Sequence, residues 1–146
     1  MKKILLASVT AVSLFGASGE ELFIQKCATC HTTQAPSSYE DMKNMVAPFI
    51  GNVLFHLDKE FKSSDDIKNH INDFVMNPTK EKAICNSVKR FGLMPSQKGL
   101  ITEAELEKVA NYLTTIIEYA RTTKSTSHQG ASCSTKGGEG CGCKSK

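Results

Sequence analysis

No stretch of this 146-residue chain alternates apolar and polar residues as a half-buried strand does, and no internal repeat is visible. Without that alternation a sheet-built architecture has nothing to form from, which leaves an all-α fold in one domain. A surplus of one charge is missing too, since 18 Lys and Arg face 15 Asp and Glu. Lacking a basic field, the chain offers nothing that nucleic acid or an anionic membrane would select. Beyond residue 19 no apolar run is long enough to cross a bilayer. Zinc-like Cys/His spacing occurs once in the part expected to fold, and a zinc site needs it twice.

What is present starts with Met1, Lys2 and Lys3, an apolar run over residues 4–15, and the small residues Gly16, Ala17, Ser18 and Gly19. That pattern predicts a secretory signal peptide over residues 1–19, cleaved between about 17 and 20. No cysteine closes the apolar run, so no lipid anchor is expected. Removing Lys2 and Lys3 from the 18 basic residues leaves 16 against 15 acidic ones, close to neutrality. Six cysteines suit an oxidising compartment, and the expected location is the periplasm.

Helical periodicity marks the rest of the chain up to about Arg121. Residues 19–27 read as a short helix capped by Ser18, with Glu20 and Glu21 at the positive end of its dipole. Phe23 stands four residues after Gly19 and four before Cys27, on one face. Residues 39–46 read as a second helix, capped by Ser37 or Ser38 and halted before Pro48. Ser63 and Asp66 signal a cap for a helix over 63–77, whose stripe is Ile67, Ile71, Phe74 and Val75 and whose end is Asn77-Pro78. Residues 81–90 predict another turn or two, with Ala83, Ile84 and Val88 inward. Thr102 and Glu105 form a capping box for the strongest helix, where Leu106, Val109, Ala110, Leu113, Ile116 and Ile117 recur at helical spacing.

Two motifs carry chemistry. Cys27-Ala28-Thr29-Cys30-His31 is the C-x-x-C-H signature of covalent haem attachment. Two thiols spaced by two residues can form thioethers to the two vinyl groups of one porphyrin, and His31 is then carried beneath the ring as the proximal ligand. The competing readings are a redox disulfide and half of a zinc site. The second motif is Phe91-Gly92-Leu93-Met94-Pro95, a loop bracketed by glycine and proline that can aim the Met94 thioether at the iron's other face. His56 and an open position are its competitors. Met42, Met45 and Met76 lie in helical patterns and read as packing, and His70, flanked by Lys68, Asn69 and Asn72, is expected to face water.

Together these residues resemble a class I cytochrome c over residues 19 to about 120. The resemblance implies a cytochrome c fold in which N- and C-terminal helices cross around one covalently attached haem c. Gly19 and Phe23 match the positions that pack the first helix on the last, and Tyr112 with Leu113 matches the aromatic partner there. In that family a proline carbonyl accepts a hydrogen bond from the proximal imidazole. Pro48 is the nearest match here, at a different spacing.

The resemblance also implies a periplasmic one-electron carrier with His31 and Met94 as axial ligands, not an enzyme, meeting redox partner proteins transiently and working as a monomer. The domain boundaries expected are 20–121 for the cytochrome, with Gly19 at its edge, and 122–146 for a flexible tail rich in Cys, Gly, Ser and Lys. Such a family has no counterpart to that tail. Cys133, Cys141 and Cys143, with His128, form a candidate soft-metal site such as one for Cu(I), against a disulfide or no role, while Cys85 reads as a buried free thiol in a helical context. Two other functions stay open: a five-coordinate haem enzyme or gas sensor, and a copper-handling protein using the tail thiols. Against the enzyme, the chain lacks the distal Arg/His pair that peroxide chemistry wants.

Overall fold

Hydroxyl caps start four of the six helices in the computed structural model, which describes residues 16–126. The signal-peptide residues before Gly16 and the tail residues 127–146, with Cys133, Cys141, Cys143 and His128, lie outside the described residues. Ser18 caps α1 (Gly19–Lys26) in a capping box, with its own N–H donating to the Glu21 carboxylate at 2.8 Å. Ser38, not Ser37, caps α2 (Tyr39–Asn44), which stops two residues short of the expected end. Ser63 caps α4 (Ser64–Met76), and Thr102 with Glu105 closes a second capping box on α6 (Glu103–Thr126). Among the described residues there is no strand, only an isolated bridge between Lys98 and Ile101.

Three elements depart from the sequence pattern for identifiable reasons. Helix α3 (Ile50–Glu60) was not marked by any cap, because its N-cap is Phe49 and its first N–H donates instead to the distant Thr32 carbonyl at 3.0 Å. The helix expected over 81–90 reduces to α5 (Val88–Phe91). Upstream of it, Lys82 donates to Thr79 Oγ1 and to the Asn77 carbonyl, which is turn chemistry, so Cys85 sits outside any helix and half-buried. At the other end α6 continues five residues past Arg121. Arg121 is held there by Asp58 at 2.5 Å and the Phe61 carbonyl at 3.2 Å, while Thr122 and Thr123 bond back to the Tyr119 carbonyl.

Helix α6 is the spine. It packs on α1 and α4 and, less extensively, on α3. Leu106, Val109, Ala110, Leu113 and Ile117 are buried from its side, meeting Leu22 and Phe23 of α1, Leu54 and Leu57 of α3, and Ile67 and Ile71 of α4. Ile116, expected to point inward, is exposed instead. The α1–α6 crossing is close because Gly19 has no side chain. A Cβ there would run into the Lys108 carbonyl and come within 2.8 Å of the Tyr112 Cβ. One turn further along, the Phe23 and Tyr112 rings pack at 6.2 Å between centroids. The N- and C-terminal helices therefore cross as in a cytochrome c fold. Among the described residues, no helix is long and apolar enough to cross a membrane.

Candidate haem site

The motif continues the last turn of α1. Cys27 and Ala28 both donate their N–H to the Phe23 carbonyl at 2.9 Å, and Cys30 and His31 both donate to the Cys27 carbonyl, at 3.1 and 2.9 Å. This turn sets two free thiols and one imidazole on a single bend of backbone. Cys27 is half-buried against the Leu22–Phe23 side, and burial pushes its thiol above the ordinary range while the Lys26 ammonium pulls it partly back. Cys30 is exposed.

His31 is half-buried, and its Nδ1–H donates to the Pro48 carbonyl at 2.9 Å. A carbonyl can only accept, so in the neutral ring the proton sits on Nδ1 and Nε2 keeps its lone pair for a metal. The acceptor is the proline that the resemblance pointed to, despite its spacing. The Thr32–Ile50 hydrogen bond stands beside it, so residues 31–50 form a loop closed twice at its base. Within it, Met45 caps the end of α2 rather than lying in a helix.

Met94 comes from the other side of the sequence and is half-buried. Its loop leaves α5 at Gly92, whose φ of 77° is a left-handed conformation that side chains resist. Two residues past Met94 the loop meets the end of α4, where the Ser96 hydroxyl donates to the Met76 carbonyl at 2.6 Å and the Gln97 N–H to the Val75 carbonyl at 3.0 Å.

The other histidines are placed differently from expectation. His70 does not face open water. It is half-buried between the Phe61 and Phe74 rings, with centroids 5.0 and 5.8 Å away, and burial lowers its pKa although Asp73 and Glu60 oppose that. The Phe61 ring arrives from just past the end of α3, a contact that the sequence neighbours of His70 could not reveal. His56 lies on α3, edge-on to Phe55 at 5.4 Å, its pKa lowered by burial and by Lys59. Sequence reasoning also missed Lys26, one residue before the motif. It donates to the Leu100 carbonyl at 2.8 Å and pairs with Glu105 at 3.4 Å, tying the motif to the start of α6.

The residues present fit haem c. Segments 24–53 and 72–100 contain no buried residue, yet they hold half-buried Phe49, Ile50, Val53, Ile84, Val88 and Phe91, of which Ile50, Val53 and Ile84 rest on the buried core. Such side chains make a partial wall that a flat apolar macrocycle would complete. The donor set is two thiols, an imidazole with a free Nε2 and a thioether, which is the chemistry of that cofactor. Among the described residues, no three His, Cys, Asp or Glu side chains converge as a metal ion bound by protein alone would need. Charge follows the same division. Segments 24–53 and 72–100 hold seven Lys and Arg against four Asp and Glu, and the remaining described residues hold six against ten.

Residues 16–113, which include both motifs, match the protein family described as cytochrome c oxidase, cbb3-type, subunit III. An uncharacterized protein of Aquifex aeolicus (strain VF5) is 26% identical over 131 residues, an alignment covering 77% of this chain and 86% of that protein. No solved structure matches the chain.

Proposed function

Since the chain belongs to the cbb3-type cytochrome c oxidase subunit III family of c-type cytochrome domains, we propose that it is a periplasmic one-electron carrier with one covalent haem ligated by His31 and Met94. The observation that carries this reading is the 2.9 Å hydrogen bond from His31 Nδ1 to the Pro48 carbonyl, on a turn that also presents both thiols. When bound, the haem supplies reversible one-electron exchange at iron, at a potential that a thioether ligand raises. The chain's part is to hold and shield it. Cys27 and Cys30 tether it, Pro48 fixes the ring plane and tautomer of His31, and the Ser96–Gln97 contacts fix the loop of Met94. With His31 and Met94 both as ligands, a substrate would have to displace one of them to reach the iron. That favours a carrier over an enzyme.

The basic bias of the segments around the site suits brief encounters with acidic redox proteins, whose rates fall as salt rises. Export rests on the charged and apolar pattern of residues 1–19. An optical spectrum of the purified ferric protein tests the ligation. A weak far-red band should be present and should disappear in Met94→Ala. A high-spin spectrum from the unmutated protein would sink the carrier reading.

A further inference from the structure

Helix α4 ends without the usual partners for its last carbonyls. Its last turn carries no basic residue, and Asn77-Pro78 follows where a glycine would often stand. Groups from segment 78–100 take those carbonyls instead. The Gln97 N–H donates to Val75 at 3.0 Å, the Ser96 hydroxyl to Met76 at 2.6 Å, and the Lys82 ammonium to Asn77 at 3.2 Å. Lys82 also bonds the Asp73 carboxylate at 2.8 Å. Ser96 and Gln97 stand just past Met94, whereas Lys82 lies near the segment's start. Both ends of the loop that contains Met94 are thus fastened to one helix terminus. The Gln97 side chain adds a bond to the Pro95 carbonyl at 2.8 Å, stiffening the stretch between Met94 and the fastening.

We propose that the C-terminus of α4 is the latch of the Met94 loop, with Ser96 and Lys82 as positioning residues that set how readily an outside ligand reaches the iron's sixth position. This rests on Met94 being the ligand there. Swinging the loop away uncaps α4 and leaves the Val75, Met76 and Asn77 carbonyls without their donors. The apparent affinity of an outside ligand is its intrinsic affinity scaled by the fraction of molecules with the loop open. Weakening the latch therefore tightens apparent binding while every contact at the iron stays the same.

Imidazole titrated into purified ferric holoprotein is the probe, read by loss of the far-red thioether band. Ser96→Ala should bind it about fivefold more tightly than the unmutated protein, the effect of one hydrogen bond. Ser96→Thr keeps a hydroxyl and should stay near the original affinity. Lys82→Met should tighten binding by a smaller factor, about twofold, that shrinks at high salt, because the Lys82–Asp73 pair is exposed. Ser64→Ala is the control. It removes a hydroxyl that bonds Glu118 at the opposite end of the same helix, and it should leave imidazole affinity alone. Equal affinities for Ser96→Ala and the unmutated protein overturn the latch and leave the carrier reading standing. Equal tightening by Ser64→Ala also overturns it, because the effect is then general loosening. If the band is absent from the unmutated protein, or survives in Met94→Ala, both ideas fall before any imidazole is added.

Discussion

Where α6 meets α1, α3 and α4, twelve apolar side chains are buried; across residues 24–53 and 72–100, none is. The first region is held by area. Each buried Leu or Ile contributes about 2 kcal/mol relative to exposure, and the contacts reinforce one another. The second rests on that core only through half-buried side chains such as Ile50, Val53, Val75 and Ile84. It is otherwise fastened at points: His31 on Pro48, Ile50 on Thr32, Ser96 on Met76, Gln97 on Val75, and the Arg90 guanidinium on the Met42 carbonyl. A hydrogen bond of this kind nets about 1 kcal/mol. The difference teaches that the helical contacts are made within the chain, while the region carrying the two motifs needs something apolar laid against it. The helical contacts alone are not expected to hold the chain without that group. One chain has divided scaffold from site.

The sharpest way to break this comparison is to remove the tether. Replacing Cys27 and Cys30 by serine takes away the group that completes the apolar wall, and the chain is expected to be largely unfolded with no cooperative melt. Circular dichroism during heating checks this, and a sharp two-state transition would mean that the site region holds itself together. A smaller effect comes from the scaffold. Leu106→Ala, at a position 2% exposed, should cost the haem-loaded protein about 3 kcal/mol in denaturant unfolding. Gly19→Ala should cost about 2 kcal/mol, because the added methyl meets the Lys108 carbonyl and Tyr112. If either change left stability untouched, the α1–α6 crossing would not be what holds the scaffold.

The smallest effect is electrostatic. Burial between Phe61 and Phe74 lowers the His70 pKa in the folded state below its unfolded value, with Asp73 and Glu60 opposing and Lys82 assisting. The unfolded chain then takes up the proton first, so the neutral ring's contribution is complete above the unfolded pKa, about 6.5, and is lost as pH falls through the folded one. Melting temperature should drop modestly between pH 7.5 and 5.5, and the slope should flatten in His70→Phe. An unchanged slope would leave His70 without a part in the acid response.

How much of this was legible in the sequence follows the same division. Helices α1, α4 and α6 announce themselves because their caps are local, Ser18 with Glu21, Ser63 with Asp66 and Thr102 with Glu105. Helix α3 does not, since Phe49 caps nothing and the partner of the Ile50 N–H lies eighteen residues away. The C-x-x-C-H motif was readable because its parts are contiguous. The Pro48 acceptor, 17 residues from His31, could be named only through the family resemblance, because spacing alone does not reveal which carbonyl a loop brings back. His70 shows the limit most clearly. Its nearest sequence neighbours are polar, and one of the two rings that cover it comes from Phe61, before the start of α4.

The glycine crossing has a further consequence, for the length of the chain. There Gly19 lies against the Lys108 backbone, 89 residues on (108 minus 19), so every residue of both motifs lies inside one long closed loop. Closing such a loop costs entropy that grows only with the logarithm of its length, and even doubling it adds just about 0.6 kcal/mol. Residues can therefore be gained or lost between the two motifs at little thermodynamic cost, provided that the ends still meet at Gly19. Variation in length belongs to the interior of the loop, while at its clasp an added atom meets the backbone of the facing helix at once.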